Sequence, residues 1–174
     1  MGKCAEEQGR CQGPLTVPRR ATRGLDSARA YDCDCNDASG IATDQNNNIW
    51  LANYTSSSIS EVNSCGTLLL DAITGGGVKY PQGIAIDGAG TVWVGNVHGN
   101  SVSEIAGSSS SSPGTFLSPS SGFATDASLL EPYGVAIDAS GNVWVSNACQ
   151  DTLTELIGVA TPIKTPLAGP PQLP

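Results

Sequence analysis

The stretch that decides the fold is Gln82–Ile105, QGIAIDGAGTVWVGNVHGNSVSEI. It occurs three times. Ser39–Val62 reads SGIATDQNNNIWLANYTSSSISEV and Tyr133–Leu156 reads YGVAIDASGNVWVSNACQDTLTEL, and the three align over 24 residues without a gap. Gly40, Gly83 and Gly134 correspond, as do Asp44, Asp87 and Asp138, then Trp50, Trp93 and Trp144, then Asn53, Asn96 and Asn147, then Glu61, Glu104 and Glu155. The period is 43 residues and then 51, the excess lying in the serine-rich insertion GSSSSSPG, Gly107–Gly114. A period of this size marks a chain built from stacked supersecondary units.

Within one copy, GIAID is a short apolar run, TVWVGN a second with β-branched and aromatic character, and SVSEI a third that alternates with period two. These predict three short strands. A fourth, weaker strand can be placed in each linker, for example TLLLDAI from Thr67. Four antiparallel strands in a unit of about 40 residues have the size and make-up of a propeller blade. The expected fold is all-β: a β-propeller segment of about three four-stranded antiparallel blades, open or incomplete. The blades are expected at 38–80, 81–131 and 132–161, after a disordered basic head at 1–37 and before a Pro-rich tail at 162–174.

The turn after the first run of each copy separates two readings. In the first copy, Asp44, Asn46 and Asn48 place oxygen-bearing side chains at alternate positions, as in a calcium loop. Such a loop wants Gly at its sixth position and a bidentate Glu at its twelfth, where this chain has Ile49 and Thr55. Register supplies the other reading, because Asn47 aligns with Gly90 and Gly141. A hairpin position that needs φ > 0 takes Gly first and tolerates Asn next. The leading Asp would then accept hydrogen bonds from the turn amides. No metal site is expected.

The copies PQGIAIDGAGTVWVGN and PYGVAIDASGNVWVSN resemble NHL-type β-propeller repeats, whose unit runs P-x-G-I-A-V-D, a short turn, G-N-I-Y-V-A-D, then an alternating strand. They also look like repeat proteins of bacterial envelopes and, more distantly, the streptogramin-lyase-like propellers. The resemblance covers roughly residues 38 to 165. It implies that GIAID is the strand nearest the central axis, and scaffolding or ligand binding more often than catalysis. Two departures limit the carry-over. The lyase blades typically end W-F-T-E where this chain has WLAN, WVGN and WVSN, and the lyase uses several histidines and a magnesium-binding carboxylate, whereas His98 is alone here. Many NHL units also carry a basic residue where this chain has Glu61, Glu104 and Glu155.

Composition points to many turns and few long helices: 21 glycines and 11 prolines stand in 174 residues. The net charge of -8 is uneven. Six of the eight basic residues lie in the first 29 positions, and from Ala30 onward only Lys79 and Lys164 oppose thirteen acids. A body that acidic repels phosphate backbones, so nucleic acid is not an expected partner. No stretch approaches the roughly 18 apolar residues of a membrane span, and residues 1–30 lack the apolar core of a signal peptide. An extracellular or periplasmic setting is expected of a full-length parent. The six cysteines follow no paired metal-ligand spacing. Cys65 and Cys149 are read as buried or loop thiols, with a disulfide as the alternative.

Each candidate site residue has a plainer role beside its functional one. His98, in the loop NVHGN, could act as a general base or be an ordinary surface histidine. Trp50, Trp93 and Trp144 could form a sugar platform, or pack between blades. Asn53, Asn96 and Asn147 end their strands, where they could close Asx turns or line one face and bind a polar ligand. Glu61, Glu104 and Glu155 could form an acidic patch, or a solvated strand face. The expected function is a non-enzymatic binding or scaffold module without cofactor, its partner an unknown protein or polar ligand. The alternatives are a streptogramin-lyase-like carbon–oxygen lyase and a fragment of a larger propeller without function of its own. Only three copies are visible and propellers close with four to eight blades, so the arc is expected to self-associate through its uncovered faces.

Overall fold

The computed structural model describes residues 37–124 and 128–163. The expected head lies outside them except for Asp37, and the expected tail except for Pro162 and Ile163. Ten strands form three separate antiparallel sheets: β1 (Ala38–Thr43), β2 (Ile49–Asn53), β3 (Ser58–Val62) and β4 (Leu68–Ile73); β5 (Pro81–Ile86), β6 (Val92–Asn96) and β7 (Ser101–Ile105); and β8 (Pro132–Ile137), β9 (Val143–Asn147) and β10 (Thr152–Leu156). Each repeat copy supplies the first three strands of one sheet. The first strands of successive sheets, β1, β5 and β8, lie side by side.

The fourth strand differs from expectation after the first sheet. TLLLDAI does form one, as β4. In the second sheet the serine-rich insertion occupies the linker, and only isolated bridges at Phe116 and Phe123 reach β7. The third sheet has no fourth strand among the described residues.

Register explains how the sheets stack. Trp50 pairs with Glu61 and Ala52 with Ile59, so all four side chains share one face of the first sheet. That face meets Val92, Val94 and Ile105 of the second sheet in one buried cluster. The opposite face of the second sheet carries Trp93 and Val102, which meet Val143 and Val145 of the third. Trp50 and Trp93 are thus packed between blades, while Trp144, with no described sheet beyond it, is only half-buried. Close approach is possible because the inner strands carry glycine. A Cβ on Gly40 would lie 2.0 Å from the Gln82 carbonyl oxygen, and one on Gly83 2.3 Å from that of Tyr133.

The hairpin turns are built on the leading Asp. Asn47 has φ +60°, and Gly90 and Gly141 have φ +87° and +85° at the same position. In each turn the Asp Oδ1 accepts two backbone N–H groups, from Asn46 and Asn48, from Ala89 and Thr91, and from Ser140 and Asn142. All of these bonds are 2.8–3.0 Å long.

Two sequence expectations are corrected. Glu61 is buried and Glu104 half-buried, so neither belongs to a solvated face; only Glu155 is exposed. Each pairs with a tryptophan on the face the next blade covers, and among the described residues nothing covers that face of the third blade. Cys65 is disulfide-bonded rather than a thiol. Cys149 is a free, exposed loop thiol.

Candidate binding face

The loops that follow Asn53, Asn96 and Asn147 come together with the residues that lead into each first strand. Asp37, Tyr80 and Glu131 occupy equivalent lead-in positions, with φ +58°, +50° and +50°. Each touches the loop residue two places beyond the conserved Asn. Thr55 donates to Asp37 at 2.8 Å, the Tyr80 and His98 rings meet edge-on with centroids 4.6 Å apart, and the Cys149 thiol lies beside the Glu131 carboxylate, which pushes its pKa up. The backbone is the same three times, yet the side-chain pair differs each time. Comparing the copies for what varies, as well as for what repeats, could have found this set in the sequence.

The second of these pairs is the centre of a larger group. Tyr54 packs edge-on against Tyr80 at 5.1 Å, and its hydroxyl lies 3.3 Å from His98 Nε2. Beside His98 opens a cleft of about 350 Å³ lined by Gly75, Gly77, Val78, Lys79, Gly99, Ser120 and Ser121. Lys79 is the one Lys or Arg among the described residues. The wall that carries it is fixed from behind: Asn96 Oδ1 accepts the Lys79 N–H at 3.2 Å, and Ser103 and Ser118 donate to the Gly76 carbonyl at 2.6 and 2.9 Å. The backbone that carries the site's cation is therefore hydrogen-bonded in place, and the other Lys, Arg, Asp and Glu side chains among the described residues are all acids.

Asn53, Asn96 and Asn147 do not reach the surface of this face. All three are buried, and each amide nitrogen donates to two hydroxyls of the neighbouring strand: Ser58 and Ser60, Ser101 and Ser103, Thr152 and Thr154. Asn96 and Asn147 also accept a backbone N–H from the lead-in segment, Lys79 and Leu130. Asn53 Oδ1 is buried with no partner among the described residues. These residues shape the face from beneath. His98, in contrast, is exposed on it.

At the opposite end of the strands the buried acids form a second polar layer. Asp44 Oδ2 accepts the Trp50 indole N–H and the Ser108 hydroxyl, and Asn48 donates to Glu61 at 2.8 Å. Burial alone would raise the Asp44 carboxyl, but hydrogen bonds from Ser108, the Asn48 amide, Trp50 and the Asn46 amide hold it below its ordinary value. Burial, and then the nearby Asp44 charge, push Glu61 up; burial and Asp87 do the same to Glu104. The turn amide of Asn142 and the Trp144 indole bring Asp138 down to about 2. In the second blade Asp87 Oδ2 accepts the Thr161 N–H instead, and among the described residues the buried Trp93 indole N–H has no partner. Among the described residues no three His, Cys, Asp or Glu side chains converge as a metal site would require.

Three radially stacked antiparallel sheets, joined in sequence along their inner strands, define the architecture. The fold is that of a β-propeller segment. The structure of a putative gluconolactonase is similar over 72% of this chain and 47% of its own length, at 15% identity and a TM-score of 0.53. Virginiamycin B lyase from Staphylococcus aureus, in selenomethionine form, matches over 71% of this chain and 42% of its own, at 15% identity and a TM-score of 0.49. A streptogramin B lyase matches over 72% and 42%, with the same identity and score. The chain spans less than half the length of each of these structures. No family model matches the sequence, and no curated protein matches it. At these identities the likeness concerns the fold alone.

Proposed function

We propose that the chain is a non-enzymatic binding module of NHL-type propeller blades, and that it takes a small polar ligand with an acidic group in the cleft beside His98. The observation that carries this reading is the placement of Lys79. The single described cation stands at a cleft of about 350 Å³, on a backbone pinned by Asn96, Ser103 and Ser118. A lysine whose backbone is held in place, beside an exposed imidazole and two serines, favours a carboxylate or phosphate group. The partners of the His98 ring support binding over catalysis, because it meets the Tyr54 phenol and the Tyr80 ring rather than a carboxylate that would orient a general base. The disulfide at Cys65 fits an oxidising, extracellular or periplasmic setting.

The chain has one histidine, so its ring protons report on the site without ambiguity. Titration with citrate and with inorganic phosphate, followed by NMR, should move the His98 resonances saturably in the wild type and leave them still in Lys79→Ala. Unmoved resonances with both probes would count against the site. Turnover of a streptogramin B substrate that is lost in His98→Ala would replace the binding reading with the lyase one.

A further inference from the structure

Each blade grips the next in the same ways. On the inner strands, Gly40 lies against the Gln82 carbonyl and Gly83 against that of Tyr133. At one end, Ser57 Oγ accepts the Tyr80 N–H and Asn100 Oδ1 accepts the Glu131 N–H, both at 3.0 Å. At the other end, Asp44 accepts the Ser108 hydroxyl and Asp87 accepts the Thr161 N–H. Between these ends Trp50 is seated on Val92, Val94 and Ile105, and Trp93 on Val143 and Val145.

The third blade carries the residues equivalent to Gly40, Ser57, Asp44 and Trp50 in these contacts, at Gly134, Asp151, Asp138 and Trp144. Among the described residues nothing takes them up. Gly134 and Ala136 are exposed, Trp144 is half-buried, and Leu153 is 63% exposed. The Asp138 bonds all stay within its own hairpin. Gly134 and Ala136 on its inner strand are nonetheless the same small residues as Gly40 and Ala42, and Gly83 and Ala85, beneath the two internal contacts.

We propose that this face of the third blade docks the first blade of a second copy of the chain, head to tail. The occupant follows from continuity with the internal contacts. Ile84 and Val135 place a methyl group 3.1 Å from where a Cβ on Gly40 and on Gly95 would stand. Ile41 is the first blade's residue at that same position, and it is 68% exposed. Leu51 and Val62, on the same side of the first blade, are already buried, so the contact centres on β1 and β8. Such a contact joins unlike surfaces and closes only if the rotation permits. Two copies with three described blades each present six together, within the range in which propellers close.

Sedimentation of the full 174-residue chain over micromolar to millimolar concentration tests the proposal, with Ile41→Arg and Ala136→Arg as variants. Both positions are exposed, so both variants should fold, as near-UV circular dichroism would verify. The wild type should form dimers. Each variant alone should raise the dissociation constant roughly a hundredfold or more, because an unpaired arginine would be buried in the contact. Mixing the two variants should restore a dimer, since one unaltered contact can then form. A wild type that stays monomeric throughout overturns the proposal. So does dimerisation abolished by Ala136→Arg yet untouched by Ile41→Arg, which would mean that two third blades meet face to face. A mixture that remains monomeric refutes it as well.

Discussion

Replacing the buried asparagines by alanine should separate two residues that look identical in the sequence. Asn96 makes three hydrogen bonds, donating to Ser101 at 3.1 Å and Ser103 at 2.9 Å and accepting the Lys79 N–H at 3.2 Å. At a net value of about 1 kcal/mol each, Asn96→Ala should cost about 3 kcal/mol. The buried Ser101 hydroxyl loses its one hydrogen bond, which favours the upper side of that figure. Among the described residues Asn53 makes only the two donor bonds, and its buried Oδ1 finds no partner there. Asn53→Ala loses about 2 kcal/mol of bonding and recovers about 1 kcal/mol by removing the orphaned acceptor, for a net cost of about 1 kcal/mol. Urea unfolding followed by tryptophan fluorescence should read the difference. With a slope of about 2 kcal/mol per molar, the midpoint should fall by roughly 1.5 M for Asn96→Ala and roughly 0.5 M for Asn53→Ala. Equal losses, or a larger loss at Asn53, would refute the hydrogen-bond assignment.

Asn47→Gly should be neutral or slightly stabilising, whereas Asn47→Val should cost on the order of 1 kcal/mol or more by forcing a β-branched residue to φ > 0. Thermal melts decide between them, and added calcium should leave each melt where it was. Glu61 is raised by burial and by Asp44, so its ionised form destabilises the fold; that cost is present above its folded pKa and is relieved as pH falls through it. Glu61→Gln should therefore raise the melting temperature at neutral pH, with the gain fading under acid as the wild-type carboxyl takes up a proton. A gain that is unchanged from neutral to acid pH would count against the assignment. The hydrogen bond to Glu131, then burial and the charges of Glu131 and Asp151, push the Cys149 thiol up. Alkylation near neutral pH should be slow despite exposure and should quicken in Glu131→Gln, measured by mass spectrometry.

The repeat by itself determined the strands, their antiparallel order and the turn chemistry. Copies in register require the same hairpin three times, and the Asn47–Gly90–Gly141 alignment marks the positive-φ site because only those side chains suit it. Period-two alternation also told which residues share a face, but not whether that face would be covered. Burial of Glu61 beside Trp50, and exposure of Glu155 beside Trp144, follow from whether a sheet lies beyond, and the local pattern is the same in both. The asparagines were legible as conserved strand ends. That their amides turn inward depends on hydroxyls two strand positions apart on the neighbouring strand, which only pairing brings within reach. The pairs Thr55 with Asp37, His98 with Tyr80 and Cys149 with Glu131 stand 18 residues apart at matching positions of the three copies, but that those positions touch follows only from strand pairing. Periodicity records what every blade must do alike to pack. What one blade does differently, as Lys79 and His98 do at the cleft, is fixed only when separate loops are carried to the same end of the stacked sheets.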